Sequence, residues 1–371
     1  MTRASRASLL ERWDALGRPF ARLPRRGAML MLAALAAAMA WSAFAVVPRG
    51  GDAATTSASS SAASAPRKGS GDLALYAAIH ARMARGEGYY DAAFAEHRAR
   101  NYPTQPFVAV RLPTLAWLQI AVGLGGVRYC MIGLVAASLF ALHRGLRGIA
   151  AWHEEALALV ILALGGAAVM ALRAGLIHEL WAGLCLTLAL LLYREHRCAP
   201  ALLAAAGALA VRELALPFVL LWLAFALAGK RWREAAGVVG LLLAFAVGMA
   251  LHFMAVDALR LPGDPVSQGW SAFAGAALPL TAVWRLTGLH DLPLALGAPL
   301  AILPLLGWLS LGGRLGLLAA LWFAGLGLMT ALFARPENYY WVQLALPAYG
   351  IGLAFAPRAL GELVRAAARQ T

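Results

Sequence analysis

The sequence predicts an all-α polytopic membrane protein with about ten transmembrane helices and a large, partly helical first outer loop. Three observations carry this. Hydrophobic residues make up 61% of the 371 positions and charged ones 13%, against about half and a quarter in soluble domains. The apolar residues fall in blocks of about 17–25, enough to cross about 30 Å of hydrocarbon as helix. These blocks are rich in Leu and Ala without the period-two alternation of barrel strands, and basic residues gather at their ends, as the positive-inside rule requires. The formal charge of +14 therefore reads as topology, not as nucleic-acid binding. Cys130, Cys185 and Cys198 lie singly, with neither metal-ligand spacing nor a disulfide framework.

Residues 1–27 carry seven arginines and are assigned to the cytoplasm. The first span, 28–47, is too long for a signal-peptide core, and Trp41 and Phe44 suit a membrane interface rather than a cleavage site. An outer loop, 48–113, follows. Its first part, Gly50 to Ser70, is a Ser-, Ala- and Thr-rich tether. From Asp72 to Arg85, Leu75, Tyr76, Ile79 and Met83 recur at helical spacing, so an amphipathic helix on the membrane surface is expected. A second short helix is expected over Tyr89 to Arg100, and Pro103, Pro106 and Pro113 punctuate the approach to the next span.

The transmembrane bundle is assigned to 114–356. Span two ends at the basic turn His143 to Arg147, and its first part, Leu115 to Leu124, is expected to be tilted or re-entrant. Spans three and four cover Ala156–Leu172 and Ile177–Tyr193. The stretch from Pro200 to Lys230 has basic flanks on the same side, which a short helical hairpin with Arg212 and Glu213 at its outer tip satisfies. Span seven runs from Ala235 to Val256, and spans eight to ten occupy Leu292–Leu311, Leu315–Phe333 and Tyr340–Phe355. The tail, 357–371, returns to the cytoplasm. This arrangement puts 18 of 32 basic residues inside and eight of the other 14 in the long first loop, where charge bias matters less.

No phosphate-binding loop, HExxH, CxxC or GxSxG occurs, which argues against soluble-type nucleotide or hydrolase chemistry. The remaining polar residues instead collect at the outer face: Asp72, Asp91, His178, Glu179, Arg212, Glu213, Asp257, Arg335 and Glu337. Ionisable groups at a bundle edge pair with one another or line a water-filled cavity. For Arg212-Glu213 a locally satisfied pair and a ligand-facing role stand level. Glu154 and Glu155 read as solvated at a helix start, and His252 as a hydrogen-bonded packing residue.

The first outer loop, Asp72-Leu73-Ala74-Leu75-Tyr76 running on through Met83 to Gly86, resembles the start of GT-C membrane glycosyltransferases. Members that transfer mannose, aminoarabinose and related sugars from polyprenyl-phosphate carriers share an Asp, a Tyr four residues later, and a helix ending in Met-x-x-Gly. Arg111-Leu112-Pro113-Thr114-Leu115 is similar to the family's Pro-Pro-Leu entry into span two, with Leu112 in place of one proline. The segment from Arg335 to Pro347 resembles its Tyr-rich final span. His178-Glu179 stands where a second acidic pair is usual. The resemblance implies an inverting transferase at the outer, periplasmic face of a bacterial inner membrane, with a polyprenyl-phosphate-linked sugar as donor and a lipid, glycan or protein as acceptor. It implies Asp72 as the catalytic carboxylate and Arg335, then Arg212, as the groups facing the leaving phosphate. Tyr76, Asp91, Arg111, His178, Glu179, Glu213, Glu337 and Tyr340 complete the substrate-binding candidates; Tyr339 and Trp270 are candidates for stacking on sugar. A divalent cation between Asp72 and Asp91 is a further possibility set against two solvated acids. The competing readings are a transporter or flippase for a lipid-linked intermediate, and a non-catalytic GT-C-like scaffold.

Overall fold

A computed structural model describes residues 9–45, 71–171, 173–194 and 197–369; the expected Gly50–Ser70 tether lies outside the described residues. Among those residues the chain is helical, with no β-strand and one isolated bridge between Gln105 and Val266. In chain order the helices are α1 (Leu9–Leu16), α2 (Arg25–Ala45), α3 (Asp72–Met83), α4 (Tyr89–Ala99), α5 (Thr114–Leu146), α6 (Trp152–Gly166), α7 (His178–Leu191), α8 (Ala199–Val211) and α9 (Leu216–Ala228). They continue with α10 (Trp232–Ala258), α11 (Ala277–Leu286), α12 (Leu294–Leu300), α13 (Leu303–Leu311), α14 (Gly313–Phe333), α15 (Leu346–Tyr349) and α16 (Ala356–Ala367).

Among the described residues six segments are long and apolar enough to cross a membrane: Arg25–Phe44, Phe107–Leu146, Trp152–Met170, Trp232–Ala258, Leu294–Leu311 and Gly313–Phe333. The second is broken at Gly123, whose φ of 71° and ψ of 164° lie outside the helical region and are open to glycine alone at low cost. That break falls inside the stretch expected to tilt. The hairpin also forms: α8 and α9 have 13 residues each and meet at Arg212-Glu213. At 1.5 Å per residue each rises about 20 Å, short of a full crossing. Helix α7 packs against α8.

The final apolar segment is wound differently from the expected span. Pro336–Leu344 and Gly350–Phe355 are 3₁₀-helical and only α15 between them is α-helical. A 3₁₀ helix rises about 2.0 Å per residue, so this winding lengthens a segment that would be too short as α-helix. Glycines permit its close packing. A Cβ on Gly183 of α7 would collide with the Gln343 carbonyl, and one on Gly307 of α13 with the Gly352 carbonyl. Small residues at such contacts let helix backbones approach. Span eight is likewise split into α12 and α13, with Pro299 and Pro304 at the joint.

Helices α3 and α4 form a cap with its own core. Leu75, Ile79 and Met83 are buried with Tyr89, Phe94, Val110 and Val256, so the apolar stripe of α3 packs on protein rather than lying on lipid as expected. The cap is fastened to the loop after α10. Arg98 donates to Asp264 at 2.7 and 2.9 Å and to the Leu259 carbonyl at 2.7 Å, and the Ser267 amide donates to the Gln105 carbonyl at 2.6 Å. The Arg98 guanidinium holds the Asp264 carboxyl down at about 2. At the other end of the bundle α1 is tied to α14 by Trp13 and by the Asp14–Arg314 pair at 2.5 Å. Amphipathic α16, expected as a tail, buries Ala359, Leu363 and Ala366 against Phe20, Ala28 and Leu306. Glu154 is not solvated: it is 6% exposed, accepts the Ala151 amide and pairs with Arg358 at 3.1 Å.

Candidate active site

Asp72 is the first residue of α3, after Gly71 turns the chain at φ 120°. The helix dipole favours a carboxylate there. The Tyr340 hydroxyl lies within hydrogen-bond reach of Asp72 Oδ2 at 3.2 Å and of Asn338 Oδ1 at 3.3 Å. Tyr102 also hydrogen-bonds Asp72, and burial together with that carboxylate pushes its hydroxyl up to about 12. Tyr102 is therefore a protonated donor at neutral pH. Asp72 is held between two phenols.

Beneath it lies a buried charge network. Arg111 donates from Nε to the Tyr76 hydroxyl at 2.9 Å and faces Glu179 at 3.5 Å and Glu213 at 3.9 Å. Arg212 donates from Nε to Glu179 at 2.7 Å and from Nη1 to Glu213. The Arg212 and Glu179 side chains are 3% and 5% exposed. Two guanidiniums and two carboxylates balance, the condition for keeping such groups out of water. Burial pushes the Tyr76 hydroxyl up to about 12, the His178 ring meets Tyr76 edge-on at 4.7 Å, and the Tyr89 hydroxyl donates to the Arg111 carbonyl at 2.6 Å.

Two cavities have Asp72 on their walls. One, of about 610 Å³, is walled by Asp72, Tyr76, Arg173, Glu179, Leu286, Tyr339, Tyr340 and Gln343. The other, of about 300 Å³, is walled by Asp72, Tyr76, His97, Tyr102, Arg111, Arg212, Ser267, Trp270 and Trp341. Tyr340, Glu337 and Asn338 also belong to both walls. The larger cavity shares Leu286 and Gln343 with an apolar groove of about 610 Å³ between α6, α11 and the final segment, whose polar liners include Arg285 and His290. Arg285 stacks over the Tyr339 ring at 5.1 Å. Neither Arg173 nor Arg285 has an ion-pair partner among the described residues. In the smaller cavity, burial holds the His97 imidazole below its usual value, and its Nδ1 bonds the Pro103 carbonyl at 2.8 Å.

Of the residues singled out in the sequence, Asp72, Tyr76, Arg111, Glu179, Arg212, Glu337 and Tyr340 line these cavities, with Glu213 and His178 packed behind them. Asp91 is exposed and lines neither cavity. Among the described residues no group of three or more His, Cys, Asp or Glu is placed to hold a metal, and Asp91 shares neither cavity wall with Asp72. Arg335 pairs with Glu337 at 3.5 Å and is on neither wall. Arg212 has both carboxylates as partners. Arg173 on the larger cavity wall and Arg285 on the groove have no ion-pair partner among the described residues, and sequence reasoning missed both, together with Tyr102, His97 and Asn338. The available signal was the short amphipathic pattern of α11, with Arg285 in its last turn.

No family model, curated protein or solved structure matches this chain.

Proposed function

We propose that the chain is an inverting membrane glycosyltransferase of GT-C architecture. It moves a sugar from a polyprenyl-phosphate donor to an envelope acceptor at the outer face of a bacterial inner membrane. Six long apolar segments among the described residues support a polytopic helical membrane protein, and the reading takes the three shorter apolar helices and the 3₁₀-wound final segment as partial or additional passes. The observation that carries the reading is Asp72 on the shared wall of two cavities, one of which adjoins, at Leu286 and Gln343, an apolar groove lined also by Arg285 and His290. A lipid-linked phosphate has those requirements: a long apolar chain, an anion, and a polar group beyond it.

In this reading the donor chain occupies the groove, its phosphate faces Arg285 and Arg173, and the sugar reaches Asp72. The acceptor hydroxyl attacks the anomeric carbon as the carbon–oxygen bond to phosphate breaks. Asp72 takes the hydroxyl proton and the lipid phosphate leaves with the bonding pair. Planar, permanently charged arginine suits the developing phosphate charge, and a base must lie within hydrogen-bond reach of the proton it removes. Tyr102 and Tyr340 orient Asp72. The ion network of Arg111, Arg212, Glu179 and Glu213 holds the floor rigid and donates no free charge.

The test is sugar release from a panel of polyprenyl-phosphate sugars by the purified protein in liposomes. Release from at least one donor, with lipid phosphate as coproduct, is expected. No release from any donor by folded protein would overturn the reading and favour a transporter or scaffold.

A further inference from the structure

Building on the transferase reading, we propose that the smaller cavity takes an uncharged sugar as acceptor and discriminates against phosphorylated acceptors. The larger cavity adjoins the apolar groove at Leu286 and Gln343 and is assigned to the donor, which leaves the smaller one as the acceptor's approach to Asp72.

Charge decides what enters it. Its two guanidiniums, Arg111 and Arg212, are already shared between Glu179 and Glu213. Asp72 and Glu337 add negative charge to the same wall, and the partner of Glu337, Arg335, stands off it. A phosphate monoester brings about 1.5–2 further negative charges at neutral pH and finds no uncommitted guanidinium among the described residues of this wall. Like charges placed together in a partly dry cavity repel strongly.

The remaining liners suit a saccharide. Trp270 is 46% exposed although Trp341 meets it edge-on at 5.8 Å, so much of the indole is open to the apolar face of a pyranose. Tyr102, Ser267 and His97 supply hydroxyl and imidazole partners at the same wall. Stacking plus short polar contacts fixes a neutral, polyhydroxylated ring without a counter-ion. The transfer balances as before: the acceptor oxygen bonds the anomeric carbon, its proton goes to Asp72 and the lipid phosphate departs.

The experiment is calorimetric titration of the full-length protein with a panel of neutral trisaccharides and their phosphate monoesters, alongside the donor assay. Neutral saccharides should bind at least roughly tenfold tighter than their esters, a difference of about 1.4 kcal/mol. Trp270→Ala should weaken saccharide binding several-fold and Trp270→Phe should restore most of it. Equal or tighter binding of the esters, no binding by any neutral saccharide, or an unaffected Trp270→Ala variant would overturn the assignment. Failure of donor turnover in the wild type would instead strike the transferase reading, because the titration uses no donor.

Discussion

Replacing Glu179 by Gln keeps the side chain's shape but removes one of the two negative charges that balance Arg111 and Arg212. Glu179 Oε1 accepts from Arg212 at 2.7 Å and faces Arg111 at 3.5 Å, with only 5% of its side chain exposed. Breaking a buried ion pair by deleting one partner costs about 3–5 kcal/mol. Here Glu213 remains against Arg212 and the Gln carbonyl still accepts one hydrogen bond, which places the expected loss nearer about 2–3 kcal/mol. At roughly 2 °C per kcal/mol for a chain of this size, the melting midpoint should fall by about 5 °C. The assay is thermal unfolding in detergent with a double-mutant cycle to Arg212→Met. In the cycle the double variant should lose less than the sum of the singles, because each single strands a charge that the double removes. Glu87→Gln is the control: its 2.7 Å pair with Arg82 is about one-third exposed, and exposed pairs contribute little. A Glu179→Gln midpoint within one degree of wild type, or strict additivity with Arg212→Met, would refute the buried network as a source of rigidity.

Other predictions bear on separate parts of the structure. Gly183→Ala should cost about 1–3 kcal/mol through overpacking and impair turnover by displacing Gln343, whereas Gly240→Ala, with open space around it, should leave the melting midpoint unmoved or raised. Arg285→Met should raise the donor KM several-fold, and an unchanged KM would remove Arg285 from the phosphate site. The α3–α4 cap should loosen on acidification in two windows. His97 is held below its usual value by burial, so the unfolded state takes the proton first and stability declines as pH falls below about 6.5. Asp264, held at about 2 by Arg98, contributes stability that is complete above its unfolded value of about 4 and is lost as pH falls toward its folded value. Hydrogen exchange over residues 72–113, corrected for intrinsic rates, measures both; protection that stays flat from pH 7.5 to pH 5 would contradict the His97 part.

Much of the fold was legible because lipid imposes simple demands. Apolar length located α2, α5, α6, α10 and α14, and basic flanks located the α8–α9 hairpin with Arg212-Glu213 at its tip. Winding was not legible: nothing in Tyr340–Phe355 announces 3₁₀ geometry, which tight packing at Gly352 and Gln343 accompanies. Helix α11 is only ten residues long and ends in polar sequence, so it falls below the length that hydropathy detects. At the site, Asp72, Glu179 and Arg212 were legible from one physical rule, that ionisable groups near a bundle edge seek partners, whereas Tyr76 and Arg111 were legible only through the family resemblance. Direction was the missing quantity. Arg335 and Asp91 sit close to the right elements in sequence, yet Arg335 turns to Glu337 and Asp91 to the surface. Glu154 was misread for the same reason, since a helix-start carboxylate looks solvated until Arg358, 204 residues away, arrives beside it.

Single-turnover sugar release from an active polyprenyl-phosphate donor, comparing wild type with Asp72→Asn in liposomes, measures what the Asp72 carboxylate contributes to transfer. General-base assistance contributes about 10²–10⁴-fold, so the variant should bind donor and fold normally yet transfer at least roughly a hundredfold more slowly. An Asp72→Asn protein that transfers sugar at the wild-type rate would rule out Asp72 as the base.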